Sequence, residues 1–198
     1  MSKGEQTRQA IIERAAPLFN QRGYAGCSLA DIMEATGLEK GGLYRHFTCK
    51  EELATEVFRY ALSTSFAARG LVMEPGGDPV AKLRIMVSHF VGAPSPIPGG
   101  CPLFNLAVDA DDGNPALRKL AQAGLKRWKR TVADLVSEGM AAGKISSDTN
   151  PQAVANVMIA TLEGALMITR LEGARHALHH AQNALQEMLT RISMKQRA

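Results

Sequence analysis

Apolar positions along the first fifty residues recur at the 3.6-residue spacing of helices, with charged and polar residues filling the gaps. Over 6–21, Ile11, Ile12, Ala15, Leu18 and Phe19 fall on one face. Pro17 sits inside that pattern, so the helix either kinks there or is held by its neighbours. Gly23 predicts its end. Ser28 reads as an N-cap with Asp31 three residues on, ahead of the buried set Leu29, Ile32 and Met33, and Gly37 closes this short helix. Residues 39–46 form the next segment, anchored by Leu43 and Phe47 at an i, i+4 spacing. Thr48 with Glu51 gives the capping-box signature of a fourth helix, which carries Leu53, Val57 and Ala61 on one side.

Beyond a faded stretch near Gly70, the breaker E-P-G-G-D-P over 74–79 separates this group from a second helical series. Segments 80–91, 103–110, 116–142, 152–171 and 174–192 are each helical in period. Between them lie a Pro-rich loop over 93–102, a break over 109–115, and breaks at Gly143, 146–151 and Gly173. β-Branched residues never alternate over a sustained run, so no strand is expected. The total is an all-α chain of about nine helices.

Composition narrows this picture. The chain has 198 residues and is 45% hydrophobic, enough for a packed core in one or two domains. No run approaches the roughly 18 apolar residues of a membrane span, and residues 1–8 lack the apolar stretch of a signal peptide. Three cysteines argue against a secreted disulfide framework. A cytoplasmic protein with no membrane partner is expected. The net charge of +4 permits DNA binding without requiring it.

The charge matters most over 28–47, where two short helices meet across a glycine as in a helix-turn-helix. Gly41 and Gly42 open the second helix and let its backbone approach a groove floor. Glycine costs about 1 kcal/mol relative to alanine inside a helix, so a pair calls for a reason, of which a loose turn is the alternative. Lys40 and Arg45 are placed to reach base edges or phosphates, Tyr44 and His46 to donate to phosphate oxygens, and Lys50 to add a further contact. The N-terminus of the helix begun by Ser28 suits a phosphate.

The run T-G-L-E-K-G-G-L-Y-R-H-F-T-C-K-E-E-L over 36–53, with S-L-A-D-I over 28–32 and Ala15, Leu18, Phe19, Gly23 and Tyr24 upstream, resembles the signature of the tetracycline-repressor (TetR) family of bacterial regulators. The specific likeness covers roughly residues 11–57. It implies an N-terminal three-helix DNA-binding domain, here 1–50, and a C-terminal helical domain, here 51–198, for effector binding and dimerisation. The fourth helix, 51–68, is the lever between them. It also implies that Ser28, His46 and Lys50 touch the DNA backbone, and that Lys40, Gly41, Gly42 and Tyr44 approach bases or nearby phosphates. Cys49 and Cys27 depart from the family pattern, and Cys49 shifts the capping duty to Thr48; either cysteine is a candidate thiol-sensitive point.

Leu178, Ala181, Leu185, Met188 and Ile192 keep a 3-4-3-4 spacing, and Val154, Met158, Leu162, Ala165 and Ile168 give the preceding helix its own stripe. A four-helix homodimer interface is expected from two copies, presenting two reading helices to a pseudo-palindromic operator; packing within one chain is the alternative. Met86, His89, Phe90, Phe104, Val108, Trp128, Met158 and Met167 are candidate walls of a pocket for a small hydrophobic effector, with Asn105 and His89 as its polar groups. Cys101, after two glycines, is a candidate pocket residue and sensor.

His176 and His180 share the spacing of a helical metal pair, but nothing completes a site; no metal and no cofactor is expected. A nucleophile elbow, a P-loop and a G-x-G-x-x-G after a strand are all missing. The function expected is therefore a ligand-responsive DNA-binding regulator and not an enzyme: a repressor bound to a double-stranded operator and released by an unknown small molecule. A small helical enzyme or carrier using the central cavity, and an architectural DNA binder, are the alternatives.

Overall fold

The computed structural model describes residues 2–71, 76–110 and 113–194. Within them the helices are α1 (Lys3–Arg22), α2 (Leu29–Thr36), α3 (Lys40–Tyr44), α4 (Lys50–Ala68), α5 (Pro79–Gly92), α6 (Pro102–Ala110), α7 (Pro115–Ala141), α8 (Pro151–Glu172) and α9 (His176–Ile192). Among the described residues the sole β pairing is a bridge between Ile145 and Ser193. Glu74 and Pro75 of the predicted breaker, and Asp111 and Asp112 of the next, lie outside the described residues. The chain divides into two compact units, one made of Met1–Ser65 with Ser95–Gly124 and the other of Phe66–Pro94 with Leu125–Ala198. The first unit therefore runs well past residue 50 and takes in α6.

In the first unit, α1 buries Ile11, Ile12, Ala15, Ala16 and Phe19. It runs unbroken through Pro17. The ring of Phe19 meets Phe58 of α4 edge-on at 6.0 Å. The Pro-rich loop is clasped by amides. Asn20, 3% exposed, donates from Nδ2 to the Pro98 carbonyl at 2.9 Å. Asn105 donates from Nδ2 to the carbonyls of Asn20 and Gly99 at 2.8 and 2.9 Å. Gly99 has φ of 111°, and a Cβ there would stand 2.9 Å from Asn20, so only glycine fits.

In the second unit α9 packs against α5 and α8. Arg84 of α5 donates to the Gln186 side chain at 2.7 Å and to the Thr190 hydroxyl at 2.9 Å. This packing already covers most of the predicted dimer seam within one chain. Val154, Met158, Leu162, Ala165, Leu178, Ala181 and Leu185 are all buried by the chain itself, and Met188 is half-buried. A 3-4 stripe signals that a face is covered without saying by what; here α5, α8 and α9 cover one another. The large apolar side chains that remain outward on α8 are Val157, Met167, Ile168 and Leu171, with Leu171 81% exposed.

Contrary to the sequence expectation, α8 is long and apolar enough to cross a membrane, with a mean hydropathy of 1.4. One face of it, from Val154 to Ala165, is nevertheless buried in the unit, and it carries the buried Glu163.

Candidate nucleic-acid interface

The reading segment is assembled from caps and a glycine turn. Ser28 and Asp31 form a reciprocal capping box: the Asp31 amide donates to the Ser28 Oγ at 3.1 Å, and the Ser28 amide to the Asp31 carboxylate at 2.7 Å. The Ser28 hydroxyl also donates to that carboxylate, and Arg22 pairs with it at 2.8 Å. These hydrogen bonds, led by the one from the Ser28 hydroxyl, hold the Asp31 carboxyl below its ordinary range. At the other end of α2, Gly37 is left-handed (φ 71°, ψ 24°) and its amide donates to the Met33 carbonyl at 2.8 Å. Arg14 of α1 donates to the Thr36 carbonyl at 2.8 Å. The turn is thereby fixed from both sides, and α3 leaves it in a defined direction.

α3 is shorter than the spacing predicts, a helix of 5 residues from Lys40 to Tyr44. Leu43 and Phe47, each 3% exposed, hold it down, and the Arg8 guanidinium lies 4.7 Å over the Phe47 ring. Outward stand Lys40, Gly41 and Arg45, all exposed, and Tyr44, 45% exposed; Gly42 and His46 are half-buried. Neither glycine has a positive φ, so neither is required by the turn. A Cβ on Gly41 would meet nothing within 4 Å, and one on Gly42 only the Leu38 side chain at 3.6 Å. The chain's own packing gives no reason for glycine at either place.

Two predicted contacts have duties inside the chain. Ser28 is exposed but its hydroxyl is engaged with Asp31. Lys50 donates from Nζ to the Tyr24 carbonyl at 2.6 Å and lies 4.3 Å over the Tyr24 ring. The fourth-helix cap also differs in detail. Glu52, rather than Glu51, accepts from both the amide and the hydroxyl of Thr48 at 2.7 Å. Cys49 retains a capping role, its sulfur accepting the Glu52 amide at 3.5 Å. Cys27 is buried, and burial pushes its thiol up from the ordinary value, which disfavours the reactive thiolate.

The predicted effector residues are split. Cys101, Phe104 and Asn105 belong to the first unit, where Cys101 is buried and the Asn105 amide is engaged in the clasp. Met86, Phe90, Trp128 and Met158 are buried in the second unit, whereas His89 and Met167 are exposed there. Trp128 stacks on Phe90 at 5.7 Å and tilts against Phe66 at 6.3 Å.

Sequence reasoning missed two residues in that interior. Arg69, 3% exposed, sits directly after α4 with its guanidinium 4.1 Å from the Phe90 ring centroid. Its Nη1 is 3.9 Å from the Glu163 carboxylate. The Arg69 Nε and Nη1 and the Trp128 Nε1 are buried with no hydrogen-bond acceptor. Each unmet donor costs about 1–3 kcal/mol. An arginine in a fading helical pattern, next to a glycine, was the only available signal. Among the described residues no group of three His, Cys, Asp or Glu side chains is placed to hold a metal ion.

Comparison with known proteins bears on the whole chain. Residues 11–57 match the model for bacterial regulatory proteins of the tetR family, and residues 79–185 the model for the tetracyclin repressor-like C-terminal domain. A TetR transcriptional regulator from Chloroflexus aurantiacus is similar in structure with a TM-score of 0.90, at 38% identity over 98% of each chain. The TetR-family regulator from Cytophaga hutchinsonii has a TM-score of 0.90 at 34% identity over 99% of each chain. The transcriptional repressor DhaR of Mycobacterium sp. strain GP1 is 26% identical over 86% of both chains. Proteins of this kind are transcriptional regulators rather than enzymes, and they bind operators as homodimers under the control of small molecules. The chain belongs to the TetR family of ligand-responsive DNA-binding transcriptional regulators.

Proposed function

We propose that this chain is a cytoplasmic repressor that holds a pseudo-palindromic operator as a homodimer and lets go when a small hydrophobic effector binds. Residues 1–50 read the DNA, and 51–198 sense the effector and pair the subunits. The observation that carries the reading is α3: two glycines in helical backbone, with open space over Gly41, beside the exposed Lys40, Tyr44 and Arg45. Helical glycine that the fold does not need makes sense where another molecule's backbone comes close. Lys40 and Arg45 then meet base edges or phosphates, Tyr44 and His46 donate to phosphate oxygens, and Leu43 and Phe47 keep the helix in place.

Pairing uses the outward side of α8. Val157, Gly164, Met167, Ile168 and Leu171 make an apolar stripe there, and a Cβ on Gly164 would meet nothing within 4 Å. The predicted seam supports that helix from behind. An effector acts by preferring the dimer geometry in which the two reading helices no longer match the operator half-sites.

The test is binding of the full-length protein to DNA upstream of its own gene. Protection of one two-fold-related site is expected, with affinity falling about tenfold or more on modestly raised salt, as several phosphate contacts require. Binding without any preferred site, or none at all, overturns the reading.

A further inference from the structure

We propose that the interior of the second unit binds an uncharged, carbonyl-bearing apolar molecule, held by the buried N–H groups of Arg69 and Trp128. This rests on the effector-responsive reading above and gives that effector a chemical class. Arg69 Nε and Nη1 and Trp128 Nε1 are buried and have no acceptor. Arginine and tryptophan side chains donate only, so whatever completes the site must accept. Both sit beside the same ring: the Arg69 guanidinium is 4.1 Å from the Phe90 centroid, and the Trp128 ring is 5.7 Å from it.

Charge decides which acceptor. Arg69 and Glu163 are opposite charges 3.9 Å apart, both buried, so their charges already cancel. A carboxylate ligand would leave a net negative charge in that interior, and burying an unbalanced charge is strongly unfavourable. An amine would bring a second cation beside Arg69. A ketone or ester oxygen accepts from the unmet donors and adds no charge. The rings of Phe66, Phe90 and Trp128 offer an aromatic wall to its apolar body.

Methyl benzoate and benzoate are a size-matched pair that differ in this one property. Calorimetric titration of the full-length protein is expected to show methyl benzoate binding at least tenfold tighter than benzoate. Trp128→Phe keeps an aromatic ring but loses the N–H, and should weaken methyl benzoate about tenfold, the effect of one buried hydrogen bond. Arg69→Lys keeps the charge but loses the guanidinium donors, and should weaken it at least as much; thermal melts establish that both variants are folded. Equal or tighter binding of benzoate, binding of neither probe up to its solubility, or unchanged affinity in either folded variant overturns the proposal. Operator binding, followed by fluorescence anisotropy, separates this from the regulator reading. If methyl benzoate displaces operator from the wild type and from both variants alike, the effector reading stands and this site falls. If binding depends on both side chains but the operator stays bound, the site stands and effector-driven release falls.

Discussion

Around α2 and α3 the polar side chains either bond to the chain or face outward: Ser28 with Asp31, Arg14 with the Thr36 carbonyl, Lys50 with the Tyr24 carbonyl, and Lys40 and Arg45 exposed. Around Trp128 the opposite holds, with the donors of Arg69 and Trp128 buried and unmet. The first arrangement suits a surface that must keep one shape before its partner arrives. The second leaves free energy that an acceptor from outside can recover, which is what a site coupled to a ligand needs. Stability and function should therefore be separable in the reading segment and entangled in the interior.

Arg69→Met is the largest test of the entangled side. It leaves Glu163 without its buried counter-charge and should cost about 3–5 kcal/mol in urea denaturation. Adding Glu163→Leu should recover most of that loss, because an apolar pair replaces the ion pair, while the response to any ligand held by Arg69 stays lost. A single variant as stable as the wild type would put the interior on the same footing as the surface and erase the contrast.

Adjacent residues of α3 test the separable side. Leu43 is 3% exposed and Tyr44 is 45% exposed. Leu43→Ala should cost about 2–5 kcal/mol of stability. Tyr44→Ala should leave stability within about 0.5 kcal/mol, yet weaken operator binding by roughly 1–3 kcal/mol with the dimer intact. Unchanged operator affinity in the tyrosine variant would remove α3 as the reading helix.

Gly41→Ala gives a smaller effect with opposite signs in two measurements. Alanine fits the open space over Gly41 and gains up to about 1 kcal/mol of helix propensity, so the melting temperature should rise. The added methyl should nevertheless lower operator affinity by obstructing close approach. A variant that is both more stable and as tight on DNA would show that the glycine serves nothing at the interface.

Which of these features could be read from the sequence follows from how far their causes lie along the chain. Ser28 with Asp31, Gly37, and Leu43 with Phe47 are local relations, and each stands where the spacing places it. The cap of α4 needed one more residue than the signature suggested, because Glu52 satisfies Thr48 while Glu51 is engaged by Asn114, 63 residues away in sequence. The apolar stripes of α8 and α9 were legible as stripes, but what covers them depends on α5, brought alongside only by the fold. Arg69 and Glu163 are 94 positions apart (163 − 69) and neither sits in a motif, so their meeting was invisible. Local chemistry was legible; the interior, where α4, α5 and α7 meet at Trp128, was not.

The smallest effect concerns acid, and it probes whether the reading segment is as fully satisfied as the contrast requires. The Ser28 hydroxyl first, then its amide, with Arg22 assisting, keep the Asp31 carboxyl below its ordinary range. A carboxyl depressed in the folded state stabilises above its unfolded value of about 4, and that contribution disappears as the pH falls through the folded value. The wild type should therefore be more stable than Asp31→Asn at pH 7, and the gap should close below about pH 4, where the wild-type carboxylate takes up its proton. Urea midpoints of both proteins at pH 7 and in the acid range measure this directly. A gap that stays constant into acid would mean that the capping box works as well with an uncharged carboxyl.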